Sequence, residues 1–305
     1  RSGGDSISAI KLVAAIRREL SIEIVLSVFF SQPQIASFSN WLERERCLDD
    51  LLKMLTPESC ARQKLFMIHP SKAGSEVYAP LAAVLADEFN CIGIDNYNHV
   101  SDHRISSLRE MGKIYLDLML TKTALDQPIY ILGWSLGGQV AMEVAYQLEL
   151  RGAKNIKLYL LDSLMNTAEI KSLREQQNLS IILKSMAEDL LQSGVEQSYI
   201  DKVVGAFSYE HIMGQGDPSG KLEYAEVTLF KAGKIESSVQ NDNIGRQFDY
   251  FLSELTDNNI SCWAEKPVAV KLFNERCHDD IVQAVVSIRL GIIESLNIEV
   301  SVLNV

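Results

Sequence analysis

The pentapeptide Gly133-Trp134-Ser135-Leu136-Gly137 restricts the possible folds of this chain more than any other stretch. It stands between an apolar run, Ile129-Tyr130-Ile131-Leu132, that reads as a strand, and a run from Val140 to Leu150 with helical spacing. A serine at so tight a strand-to-helix turn is held in strained backbone geometry, and the residues two places to either side must be small for the turn to close. Such a turn lifts the serine hydroxyl above the edge of a sheet and aims the next residue's amide at the same point. The plain alternative is a glycine-rich turn whose serine only caps the following helix.

The surrounding pattern favours the first reading. From Lys64 onward short apolar runs alternate with amphipathic segments, as in a mainly parallel sheet covered by helices. Strands are predicted at 65–68, 91–94, 129–132, 156–161, 226–230 and 268–273, and helices at about 78–88, 106–121, 136–150 and 280–297. Between 163 and 224 the rhythm breaks. Ile181, Ile182, Met186, Leu190 and Leu191 have helical spacing there and no strand is evident. An insertion at the C-terminal end of a strand overhangs the place where α/β sheets bind ligands, so it reads as a lid. A purely structural helical subdomain would carry the same pattern.

The first part of the chain differs. Residues 1–42 read as short helices, one with apolar Ile7, Ile10, Val13, Ala14 and Ile16 and a second around 34–42. The charged run Glu43-Arg44-Glu45-Arg46 leads into Leu48, Leu51, Leu52 and Leu55, a helix-like piece ended by Pro57. We therefore expect three parts: 1–42, a linker at 43–63, and an α/β domain at 64–305.

Composition narrows the partners. A net charge of −11, spread along the chain, argues against nucleic acid and anionic membrane. No apolar run is long enough to span a bilayer, and no apolar signal segment is evident. Five cysteines without metal-ligand spacing read as reduced thiols in a cytoplasmic protein with no metal site.

A serine nucleophile needs a base within hydrogen-bond reach, itself oriented by a carboxylate, and in α/β-hydrolases these follow in the order Ser, acid, His. Of the five histidines, His278 alone follows the last predicted strand and precedes the last helix. His69 is expected to shape the loop after the first strand, and His99, His103 and His211 are expected at the surface. Asp162 is the favoured acid, because a carboxylate ending so apolar a strand would be partly desolvated and an imidazole N–H would offset that cost. Glu236 or Asp242, one strand later, are the alternatives. The oxyanion formed in acyl transfer needs backbone N–H donors already in place. Leu136 supplies one amide, and the loop His69-Pro70-Ser71-Lys72-Ala73-Gly74 supplies the other, with Lys72 preferred and Ser71 second.

Gly3-Gly4-Asp5-Ser6-Ile7, with the helix through Leu20 and the later stretch around Ile35 to Trp41, resembles the second half of a peptidyl carrier protein. Residues 64–305 resemble the terminal thioesterase domain of non-ribosomal peptide synthetases. The matching features are His69-Pro70, Gly133-Trp134-Ser135-Leu136-Gly137-Gly138, Leu161-Asp162-Ser163 and His278. Ser2 departs from the carrier pattern, where an apolar residue usually precedes the glycine pair. The resemblance implies an α/β-hydrolase fold with a helical lid, preceded by a partial carrier bundle, and further favours Asp162 as the acid. It implies a 4'-phosphopantetheine arm on Ser6, installed by a phosphopantetheinyl transferase and loaded by upstream modules of the same synthetase. The implied reaction is release of a peptidyl thioester through a Ser135 acyl-enzyme, by hydrolysis or macrocyclisation. Two rivals remain at this stage: a stand-alone or editing thioesterase, and a non-catalytic interaction module on a hydrolase scaffold.

Overall fold

The computed structural model describes residues 51–234 and 253–296, apart from positions 61, 102, 193 and 195. The chain divides into two units, Arg1–Leu51 and Leu52–Val305, and apart from Leu51 all described residues fall in the second. Ser6 and the predicted helices of residues 1–42 lie outside the described residues, as do Glu236 and Asp242.

Seven strands form one sheet: β1 (Leu52–Met54), β2 (Gln63–Ile68), β3 (Phe89–Ile94), β4 (Ile129–Trp134), β5 (Ile156–Leu161), β6 (Glu226–Ala232) and β7 (Ala269–Phe273). Their order is β1-β3-β2-β4-β5-β6-β7. All neighbours are parallel except β1, which runs antiparallel to β3 with Leu52 opposite Ile94 and Met54 opposite Ile92. β1 corrects the helix-like reading of the stretch before Pro57. Its register with β3 is prolonged by the Leu55 amide donating to Cys91 O (2.9 Å) and the Cys91 amide to Thr56 Oγ1 (2.9 Å), so pairing at the sheet edge overrides local helical spacing.

The six predicted strands and four predicted helices are all present, 156–161 and 136–150 with the expected ends and the others with shifted ends. Helices α1 (Ala79–Leu85), α2 (Tyr97–Val100), α3 (Leu108–Leu120) and α4 (Leu136–Leu150) lie in the connections between β2 and β5. The insertion holds α5 (Ala168–Gln176), α6 (Leu179–Gln192) and α7 (Gln197–Gly214), and α8 (Val285–Ser295) follows β7. The central strands are apolar almost throughout because both faces are covered. Leu65, Met67, Leu132, Tyr159, Leu161 and Phe230 share one core with Leu81 and Leu85 of α1 and Ile288 and Ile292 of α8. Phe66, Ile131, Leu158 and Leu160 have the opposite parity and are also buried. Helix α4 lies against β2, β4 and β5, burying Val140, Val144 and Leu148.

This topology positions the site. Trp134 on β4 is in register with Leu161 on β5, and Leu161 with Phe230 on β6. Ser135, Asp162 and the end of β6 therefore lie side by side along the C-terminal edge of the sheet, where open α/β sheets bind ligands.

Candidate active site

Ser135 has φ 56° and ψ −122°, a region that costs a residue with a β-carbon about 1–3 kcal/mol. The turn tolerates it because its flanks are bare. A β-carbon on Gly133 would lie 2.3 Å from Gly137 O, and one on Gly137 would lie 2.5 Å from both Ile68 O and His69 O. The Ser135 amide donates to Leu161 O (3.1 Å), which ties the turn to β5. The Ser135 side chain makes no capping bond to α4, so the helix-cap reading falls and the strained strand-to-helix turn, or elbow, remains.

His278 meets Ser135 from 143 residues away, its Nε2 3.0 Å from Oγ. Its Nδ1 lies 2.8 Å from Asp162 Oδ2. An ionised carboxylate only accepts, so Nδ1 carries the proton and Nε2 turns its lone pair to the serine hydroxyl. Asp162 has φ 41° and is mostly buried, with an 11% exposed side chain. Burial alone would raise its pKa. The hydrogen bond and charge of His278, the Ala232 amide (3.0 Å to Oδ1) and the Asn258 side-chain amide (3.2 Å to Oδ1) outweigh burial and hold the carboxyl below its ordinary value. Trp134 steadies the His278 backbone by donating Nε1–H to His278 O at 3.1 Å.

The surrounding cavity has a volume of about 720 Å³, in the range of pockets that enclose drug-sized ligands. Ser135, Leu136, Asp162 and His278 line it together with Ser71 from the loop after β2 and Arg174, Glu210 and His211 from the insertion. The 163–224 segment thus forms one wall of the cavity.

Several expectations need revision. The Lys72 amide donates to Glu210 Oε2 at 3.0 Å, so it is spent on that carboxylate. Ser71, like Ser135, lines the cavity, and its amide makes no hydrogen bond to another described residue. His99, expected at the surface, is largely buried with a 12% exposed side chain, 3.8 Å from Glu210. His211, also expected outside, faces the cavity, and burial together with the Arg174 charge lowers its pKa. His103 is exposed as expected. His69 is buried, with Nδ1 2.7 Å from Pro70 O and Nε2 2.7 Å from Tyr115 OH. Its burial outweighs the Glu210 charge and lowers its pKa, and its two hydrogen bonds fit the expected loop-shaping role.

Sequence reasoning missed Asn258 and Glu210. Asn258 is buried at φ 51°, donating to Asp162 Oδ1 and to Ser163 O (3.2 Å) while accepting from Lys231. The run Asp257-Asn258-Asn259 was a usable signal, since asparagine enters left-handed backbone more readily than most residues. Glu210 carried none, being one acidic residue in a helix.

Among the described residues no helix is long and apolar enough to cross a membrane, and no three His, Cys, Asp or Glu side chains gather in a way that could hold a metal ion.

Comparison with known proteins bears on the family and the fold. Residues 63–212 match the family described as Thioesterase domain, and residues 1–42 match the Phosphopantetheine attachment site. The dimodular nonribosomal peptide synthase of Bacillus subtilis is 30% identical over 168 residues, which is 54% of this chain and 7% of that protein. The chain therefore spans a small fraction of such relatives. The NocB thioesterase domain, solved as a covalent complex with a fluorophosphonate nocardicin G analog, superposes with a TM-score of 0.59 at 20% identity, over 80% of this chain and 99% of that one. The surfactin thioesterase domain SrfTE superposes at 0.55 with 15% identity, over 83% and 98%. Residues 63–212 thus belong to the thioesterase-domain family and residues 1–42 to that of the phosphopantetheine attachment site, in a chain similar to part of a nonribosomal peptide synthase.

Proposed function

We propose that residues 64–305 release an acyl or peptidyl chain from a thioester by way of an ester on Ser135. The observation that carries this reading is the continuous relay from Asp162 Oδ2 through His278 to Ser135 Oγ, at 2.8 and 3.0 Å, opening into the cavity. In the first half-reaction Ser135 Oγ bonds to the thioester carbonyl carbon while its proton passes to His278 Nε2. The Leu136 amide and, in place of Lys72, the Ser71 amide receive the oxyanion. Collapse breaks the carbon–sulphur bond, and the imidazolium returns its proton to the departing thiolate. In the second half-reaction water, or an amine or hydroxyl of the chain itself, attacks the ester with His278 again as base, and Ser135 leaves with the proton. Ionised Asp162 keeps the imidazole in the required tautomer and stabilises its charged form.

In this reading residues 1–42 present the substrate, on a phosphopantetheine arm attached at Ser6. A phosphopantetheinyl transferase installs the arm and upstream modules of the same synthetase load it. The phosphopantetheine-site match over residues 1–42 supports this arrangement. The 163–224 wall governs how much water reaches the ester, and so divides hydrolysis from macrocyclisation.

The test uses a synthetic peptidyl N-acetylcysteamine thioester. Wild type accumulates an acyl adduct that mass spectrometry locates on Ser135, and Ser135→Ala accumulates none. An adduct elsewhere, or turnover in Ser135→Ala close to wild type, would sink the reading. The ratio of cyclic to linear product decides the release nucleophile.

A further inference from the structure

Helix α7 grips the loop after β2 at one residue. Glu210 Oε2 accepts from both the Ser71 hydroxyl (2.6 Å) and the Lys72 amide (3.0 Å). Its Oε1 accepts from the Asn96 side-chain amide, and His99 Nε2 stands 3.8 Å away. Phe207, three residues earlier and so on the same helix face, lies 5.1 Å from Lys72 Nζ in a cation–π contact. Lys72 is thus held through its main chain and its side chain by one helix of the insertion.

Two unfavourable features meet here and relieve each other. Lys72 has φ 68°, left-handed backbone that costs a residue with a β-carbon about 1–2 kcal/mol and persists where the surroundings over-determine it. Glu210 is a carboxylate only 2% exposed, and a buried charge is costly unless its lone pairs are filled. No lysine or arginine pairs with it among the described residues. Burial, the first cause in each case, lowers the pKa of His69 and His99 against the raising influence of the Glu210 charge. The carboxylate therefore depends on neutral donors, two of them from the strained turn. Separating helix from loop would strand the charge and free the turn together.

We infer that Glu210 is a positioning residue for the reaction proposed above: from the insertion, it fixes the Ser71-Lys72 turn so that the Ser71 amide is ready to pair with that of Leu136 as an oxyanion donor. The inference rests on the acyl-transfer reading and extends it. An acyl chain that allows α7 to settle on the loop completes the donor pair, and one that holds α7 off leaves it incomplete. The insertion then licenses the chemistry as well as covering it.

The experiment uses the full chain, hexanoyl-N-acetylcysteamine as substrate, and phenylboronic acid as a probe whose tetrahedral serine adduct places an oxygen in the oxyanion position. Glu210→Gln keeps size and one acceptor but turns an NH₂ toward the donors. It is expected to lower kcat at least tenfold, leave KM within twofold, and weaken phenylboronic acid inhibition by the same factor as kcat. Ser71→Ala is expected to lower kcat by a smaller factor, and the double variant to be no slower than Glu210→Gln alone, because one contact is lost in both. Circular dichroism melting checks that each variant is folded. The inference is overturned if folded Glu210→Gln keeps kcat and inhibition within twofold of wild type, if it raises KM alone, or if the double variant shows the product of the two single losses. Should Glu210→Gln fail to fold, an unchanged kcat in Ser71→Ala overturns it. Failure of the underlying reading is distinct: a fluorophosphonate would then leave Ser135 unlabelled in wild type, and this inference would fall with it.

Discussion

The cavity has two walls of different construction. On the sheet side, the Ser135 amide is tied to Leu161 O, the Asp162 amide to Phe230 O, and the Ala232 amide to Asp162 itself. On the insertion side, α6 and α7 share a small core of Met186, Val203 and Phe207, while Ile181, Leu191 and Ile212 are more than half exposed. The insertion is fastened chiefly at its roots. Gln139 of α4 donates to Leu164 O, and Glu143 and Glu149 of α4 accept from the backbone amides of Ser219 and of Glu223, Tyr224 and Ala225. A wall built from strand ends holds reacting groups in place before substrate arrives. A wall of thinly packed helices opens at lower free energy and can follow the shape of what it encloses.

This contrast is open to direct attack, beginning where the effect is greatest. Removing the proposed nucleophile from the sheet wall with Ser135→Ala should reduce kcat on an acyl thioester by about 10⁶-fold with the fold intact, the size found when a serine nucleophile is deleted. A steady-state assay with a matched melting curve measures it, and a small loss would mean that the wall does not hold the reacting group. Asp162→Asn should lower kcat by about 10⁴-fold, because an amide supports the wrong imidazole tautomer. Its pH behaviour sharpens the point. The native carboxyl is held below its ordinary value, so the stability it contributes is complete above about pH 4 and is lost as pH falls through the lower native value. Melting temperatures of wild type and Asp162→Asn should therefore converge only below about pH 4, and convergence already at pH 6 would contradict this account.

Gly137→Ala tests the rigidity of the elbow, since a β-carbon there meets two carbonyl oxygens at 2.5 Å that belong to backbone and cannot swing aside. A loss of about 3 kcal/mol or more is expected from denaturant unfolding, and a loss below about 1 kcal/mol would show a softer wall than described. The mildest test needs no substitution. Amide hydrogen exchange should be at least about 100-fold faster in α6 than in β4 and β5. Equal protection would abolish the distinction between the walls.

Much of the sheet wall could be read from consecutive residues. The apolar runs of β3, β4 and β5 carry their own signature because a strand covered on both faces must be apolar along its length. The small residues around Ser135 follow from steric limits inside a five-residue turn. His278 was found from chain order alone, and the nearness of Asp162 to Ser135 follows from adjacent strands in register. The insertion wall was legible only as helical spacing. Glu210 resembles any acidic helix residue until the loop 139 residues earlier is placed beside it. The preference for Lys72 over Ser71 failed for the same reason: which of two neighbouring amides remains available depends on the acceptor that arrives from elsewhere.

By itself, then, the sequence determined the strand and helix order, the strained serine turn and the choice of His278 as the histidine that meets Ser135, because periodicity, chain order and local sterics can be read along the chain. Tertiary structure alone decided that 52–54 pairs as an edge strand, that Asn258 completes the hydrogen bonding of Asp162, and that Glu210 claims the Lys72 amide. These are hydrogen bonds between distant segments. Their partners are chosen by which donors and acceptors remain unsatisfied when the layers come together, and no local pattern records that outcome.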